Sequence, residues 1–207
     1  MGDLLPPAPP NFPHRDIARF SAQFPDLIAG AHSGGSLTYG ELDHRSNRLA
    51  RHLQSLGVGP NIVVALRIPR SPELVAAFLA VSKIGGAYLL LEPSAPAERL
   101  RSVLERVNPV FVIAPDTDPC FGTLSVRWYS PDALERDALR QSSATPDATI
   151  LPEHIASIFL TSGSSGPPKA VVTPFGFRVR PAPPLPGSER HVLKTDSGTT
   201  FTRGGKS

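Results

Sequence analysis

The sequence predicts an α/β fold with a mostly parallel sheet and helices on its faces. Two observations predict it. Short apolar runs at 62–68, 87–91 and 110–114 alternate with amphipathic stretches of helical spacing. The run IVVALRI at 62–68 is apolar almost throughout, as a strand buried on both faces should be. Crossovers in such units are right-handed, which puts the intervening helices on the sheet faces.

The elements follow in order. After a proline-rich start, Asp16 to Phe24 predicts a short helix with Ile17, Phe20 and Phe24 on one face. Residues 38–57 predict a longer helix. Thr38 serves as N-cap with Glu41 three residues on, Leu42, Leu49, Leu53 and Leu56 form the stripe, and Gly57 is the stop. The strand at 62–68 ends before Pro69. Ser71 then caps a helix with Pro72 at its first position and Glu73 in its first turn, ended by Gly85-Gly86. Ala87 to Leu91 is a strand, Pro96 opens the helix AERLRSVLERV, and VFVIA at 110–114 is a third strand. Residues 123–129 suggest a further strand and 131–140 a short helix. IASIFL at 155–160 is a strand that runs into TSGSSGPPK, and AVV at 170–172 is apolar again, so a hairpin is expected there.

Composition bounds the function. At 40% hydrophobic the chain can build a core. Of its 24 prolines, many gather at 6–13 and 181–186, which marks the two ends as flexible edges. Residues 1–175 hold 15 Lys+Arg against 16 Asp+Glu, a net of −1, whereas residues 176–207 hold 6 against 2, a net of +4. The folded part therefore offers nucleic acid no general attraction, and the basic character belongs to a tail. No stretch approaches the ~20 apolar residues a bilayer span needs, and the start lacks the pattern of a signal peptide. Cys120 stands alone, which excludes an internal disulfide framework. A cytoplasmic location is the remaining expectation. The histidines are scattered without ligand spacing, so no metal site is expected.

The chemistry-bearing segment is Thr161-Ser162-Gly163-Ser164-Ser165-Gly166-Pro167-Pro168-Lys169. Glycines let backbone N–H groups approach an anion, hydroxyls donate to phosphoryl oxygens, and the lysine adds a mobile positive charge. Such a loop suits a polyphosphate. From composition alone, a plain Ser/Gly/Pro surface turn explains the segment equally well. It is not a Walker A loop, since Pro168 and Ala170 flank Lys169. No GxGxxG follows the first strand, where residues 69–71 read Pro-Arg-Ser, and GxSxG is absent.

Three segments together resemble the adenylate-forming superfamily, most closely the adenylation domains of nonribosomal peptide synthetases. LTYGEL at 37–42 is similar to the first core motif and GGAYLLLEPSAPAERL at 85–100 to the second. IASIFLTSGSSGPPKAVV at 155–172 is similar to the third. The resemblance covers about residues 12–172 and implies part of that family's N-terminal lobe. It assigns Thr161, Ser162, Gly163, Ser164, Ser165 and Gly166 to the cradle of the ATP phosphates, with Lys169 as the loop lysine. Ser165 stands where threonine is usual, Ala170 where glycine is usual, and Pro174 near a usual histidine. Tyr39, Asn47, Gly86, Tyr88, Pro93 and Arg99 also match family positions, and a structural role is expected for them.

The resemblance implies a reaction of a carboxylic or amino acid with ATP and Mg²⁺ to an acyl-adenylate. Transfer to the phosphopantetheine thiol of a separate carrier domain would follow. The acid pocket, adenine contacts and small lobe of that family have no counterpart here. The expectation is thus a fragment without its own turnover, with no catalytic residue, binding ATP weakly at most. The missing lobe and carrier domain would be its natural partners. Two alternatives stand beside it: a non-catalytic nucleotide- or protein-binding remnant, and a fragment of an acyl-CoA synthetase-like ligase. The organisation expected is a flexible start at 1–11, the partial domain at 12–172 and a poorly ordered Pro/Gly-rich basic tail at 173–207. Translation in a shifted frame is another origin for that tail.

Overall fold

The computed structural model describes residues 12–32, 35–115, 126–161, 169–177, 191–194 and 200–203. From the N-terminus come α1 (Pro13–Gln23), β1 (Ile28–His32), β2 (Gly35–Thr38), α2 (Tyr39–Ser55) and β3 (Val63–Leu66). Then follow α3 (Pro72–Lys83), β4 (Ala87–Leu90), α4 (Ala97–Val107), β5 (Phe111–Ile113), β6 (Arg127–Tyr129) and α5 (Pro131–Ala138). β7 (Ile155–Thr161) and β8 (Lys169–Pro174) complete a six-stranded sheet of order β6-β5-β3-β4-β7-β8. Every pairing in it is parallel except β7 with β8. The α/β class with a mostly parallel sheet and flanking helices is therefore the observed one.

Local chemistry sets the helix boundaries. Thr38 Oγ1 accepts from the Glu41 N–H and the Glu41 carboxylate accepts from the Thr38 N–H, a reciprocal box that starts α2. Ser71 and Ser130 each accept the N–H three residues ahead, with proline at the first helical position of α3 and α5. Gly57 at φ +94° follows the end of α2, and Asn108 at φ 49° is the left-handed cap of α4.

The period of two in the strands divides the core. On β3, Val64 and Leu66 face the layer built by α2, α3 and α5, together with Phe111 and Ile113 of β5. Ala65 faces the other way, with Leu89, Val112 and Ile158, onto Leu100, Val103 and Leu104 of α4. The connections explain this. From β3 the chain passes through α3 to the adjacent β4, and from β4 it returns through α4, past β3, to β5. Beyond the carboxyl ends of β3 and β4 the chain thus leaves to opposite faces, which opens a crevice between them.

Polar anchors tie the layers together. Lys83, only 5% exposed, donates to the Asp43 carboxylate, Ser46 Oγ and Asn47 Oδ1, each at 2.7 Å. Burial lowers its pKa, and the Asp43 carboxylate opposes that shift. Further along α2, Asn47, Arg51 and Gln54 donate to the carbonyls of Ser143, Ala144, Thr145 and Asp147, strapping down the segment that leads to β7. Asn61, at φ 62°, accepts the Ile155 N–H at 2.8 Å and fixes the first residue of β7.

The sequence reading had no place for the β1–β2 hairpin, which pairs Ala31 with Ser36 and Gly30 with Leu37. In the stretch expected to be poorly ordered, β8 runs on to Pro174, and His191–Lys194 (β9) pairs antiparallel with Thr200–Arg203 (β10). The β9–β10 pair belongs to a different unit from residues 1–177.

Candidate functional site

The segment singled out by sequence lies between β7 and β8. Thr161 ends β7, Lys169 begins β8, and the two are register partners. Ser162, Gly163, Ser164, Ser165 and Gly166 lie outside the described residues, as does Cys120. β7 lies parallel to β4, with Ser157 beside Tyr88 and Ile158 beside Leu89. Its last residues therefore emerge on the same side of the sheet as the carboxyl ends of β3 and β4. In open α/β sheets that is the side on which ligands bind.

A cleft of about 810 Å³ occupies the crevice at those carboxyl ends. Leu66, Ile68, Leu90, Leu91, Phe159 and Leu160 supply apolar lining, and Arg70, Glu92 and Arg99 are its charged groups. Arg70 follows β3 and immediately precedes the Ser71 cap of α3, and Arg99 stands in the first turn of α4. Both are exposed and carry no hydrogen bond or ion pair among the described residues. Glu92 accepts from Ser94 Oγ at 3.2 Å, and Arg67 donates to the Pro93 carbonyl at 2.9 Å, bracing the turn between β4 and α4.

The structure thus brings the second motif to the same cleft that Leu160, one residue before Thr161, enters from the third. Pro93 and Arg99, for both of which a structural role was expected, are lining residues of that cleft. Sequence reasoning passed over Arg70. Its signal was an arginine placed between the carboxyl end of a parallel strand and a helix cap. Tyr39, Tyr88, Asn47 and Gly86 sit in packing. Tyr39 meets Phe20 edge-on with ring centres 4.7 Å apart, Tyr88 lies tilted against Phe78 at 5.7 Å, and Asn47 serves the Lys83 anchor. A Cβ on Gly86 would stand 2.9 Å from Val81 Cγ1.

Among the described residues no three His, Cys, Asp or Glu side chains gather as a metal site. Among them no helix is long and apolar enough to cross a membrane.

Comparison with known proteins gives this arrangement its family. The chain is 40% identical over 167 residues to nonribosomal peptide synthetase 5 of Gibberella zeae, an alignment covering 76% of this chain and 1% of that protein. It superposes on the crystal structure of VinN with a TM-score of 0.74 at 30% identity, covering 80% of this chain and 44% of VinN. The N-terminal subdomain of Klebsiella oxytoca NpsA in complex with 3-hydroxybenzoyl-AMSN matches with a TM-score of 0.70 at 28% identity. That match covers 77% of this chain and 40% of the subdomain chain. The chain thus spans under half the length of these solved structures and a small part of the synthetase. The family described as AMP-binding enzyme matches residues 17–180, from α1 through the sheet, the cleft and both strands of the β7–β8 hairpin. The chain therefore belongs to the AMP-binding, adenylate-forming enzymes, as a part of that fold homologous to nonribosomal peptide synthetase adenylation domains.

Proposed function

We propose that the segment from Thr161 to Lys169 holds the phosphates of ATP. The chain then contributes the phosphate-binding portion of a unit that joins a carboxylic or amino acid to AMP. The observation that carries this reading is the placement of β7. Its carboxyl end is delivered beside those of β3 and β4, so a Ser/Gly/Lys segment follows the strand on the ligand side of a parallel sheet. The NpsA subdomain, bound to 3-hydroxybenzoyl-AMSN in its structure, supports a nucleotide-like ligand for this part of the fold.

In the full reaction the carboxylate attacks the α-phosphorus and pyrophosphate departs. Positioning and neutralisation of developing charge carry such steps. The residues named here would act on the leaving side, with backbone N–H groups and hydroxyls from Thr161 to Gly166 and the Lys169 ammonium meeting phosphoryl oxygens. Mg²⁺ would supply further neutralisation in a longer relative. No described cluster of this chain fits it. A phosphopantetheine thiol on a carrier domain would be the acceptor after adenylation.

In this reading the 207-residue chain binds ATP without turning it over, because Thr161 to Lys169 supply phosphate contacts alone. Two assays test it together. Titration with ATP should show binding that Lys169→Gln weakens by about tenfold, the value of one charge-assisted hydrogen bond. Exchange of pyrophosphate into ATP with any amino or aryl acid should stay at background. Exchange above background contradicts the binding-only reading, and binding indifferent to Lys169→Gln contradicts the loop assignment.

A further inference from the structure

We propose that the cleft at the carboxyl ends of β3 and β4 is a second phosphoryl-anion subsite, gripped by Arg70 and Arg99. It rests on the nucleotide-binding reading above, but on different residues. Arg45 pairs with Glu135 at 2.7 Å and Glu73 at 3.1 Å, Arg51 with the carbonyls of Ala144 and Thr145, and Arg127 with the carbonyl of Leu56. Those guanidiniums are committed to the fold. Arg70 and Arg99 are not. Both are exposed, both border one cleft of about 810 Å³, and neither has a hydrogen bond or ion pair among the described residues.

Among the described lining residues two guanidiniums stand against the single carboxylate of Glu92, a cationic balance, and a guanidinium fork matches phosphoryl oxygens two at a time. The apolar floor strengthens this. The buried Leu66 and Leu91 keep polarisable water away from the base of the cleft, so the attraction there is less screened than at an open surface. The position agrees too. The two arginines follow β3 and β4, at the point where the chain leaves to opposite faces of the sheet, the place where open α/β sheets take ligands. Leu160 carries the cleft to within one residue of Thr161.

The test is calorimetric titration of the full 207-residue chain with inorganic pyrophosphate and, separately, with ATP. Arg70→Gln, Arg99→Gln and their combination are compared with Arg101→Gln, an exposed arginine of α4 outside the cleft. Thermal unfolding of each variant checks the fold. Each cleft variant should weaken binding by about tenfold and the pair by more, while Arg101→Gln leaves it unchanged. Loss for pyrophosphate alone identifies a subsite for the free inorganic anion, and loss for ATP alone a subsite for the nucleotide's own phosphates. Either supports the proposal. Wild-type binding by the double variant, equal weakening by Arg101→Gln, or no binding of either anion by the unmodified chain overturns it. Lys169→Gln run in parallel separates the two readings. If it has no effect while the cleft variants weaken binding, the loop assignment fails and the cleft stands.

Discussion

At the scale of single residues, the buried charges decide most. Lys83 holds three side chains of α2, and one of them, Asn47, reaches on to the Ser143 carbonyl. Lys83→Met leaves the Asp43 carboxylate without its cation. Removing one partner of a buried pair costs about 3–5 kcal/mol, a loss that urea unfolding should register. His14 acts through pH. Its ring packs edge-on against both Phe12 and Phe175, its Nδ1 has no partner among the described residues, and burial first, then the charges of Arg15 and Lys83, lower its pKa from 6.5 to about 4; Asp16 opposes them. The unfolded chain binds that proton more readily than the folded one. The stability due to the neutral imidazole is complete above the unfolded value, and it is lost as pH falls from 6.5 toward about 4, by about 3 kcal/mol in all. His14→Phe should flatten stability against pH across that window; an unchanged slope would place the titration elsewhere. Neither role was legible in the sequence. A lysine inside an apolar helix and a histidine after a proline reveal their partners only when α1, α2 and α3 are packed. The Ser/Gly/Lys segment was the reverse case: its chemistry stood in the sequence, and only its position on the sheet came from the fold.

At the scale of elements, local signals and tertiary ones part company. α2 was legible almost to the residue because cap, stripe and stop agree within it, and α4 because Pro96 opens it. Thr38→Ala should therefore cost about 1 kcal/mol through the cap alone, measurable by chemical denaturation, with Thr38→Ser close to wild type. The β1–β2 hairpin escaped notice because IAGAH and GSLT are short and rich in glycine and alanine, and their pairing comes from across the turn. The entry to β7 depends on a distant contact. Asn61 combines a left-handed backbone with an acceptor for the Ile155 N–H, so Asn61→Gly keeps the turn and removes only the bond. That substitution should lower stability by about 1 kcal/mol and speed hydrogen exchange at the Ile155 amide. An unchanged exchange rate would mean that the pairing of Ile155 with Pro174 of β8 suffices.

At the scale of the whole molecule, the sheet explains why the site lies where it does. Parallel strands align their carboxyl ends, and the reversal of direction after β4 opens the cleft into which Leu160, Arg70 and Arg99 converge. The strand–helix alternation in the sequence was enough to predict the class. The order β6-β5-β3-β4-β7-β8 was not, because neighbours in a sheet are chosen by burial on both faces and not by adjacency in the chain. The sheet also has an open side. β8 is its last strand, and Val171 and Val172 are 46% and 51% exposed on it, with Phe159 of β7 at 45%. Exposed apolar edge strands template association. Light scattering of the isolated chain should thus show self-association that rises with concentration and falls with Val172→Lys. The central claim, that this sheet presents a phosphate-binding segment between β7 and β8, is tested most directly by mapping ATP onto backbone amides with nuclear magnetic resonance. The largest shifts are predicted at amides from Ser162 to Lys169 and at Leu160 beside the cleft. Shifts confined to α2, α5 or residues 178–207, or none at saturating ATP, would contradict it.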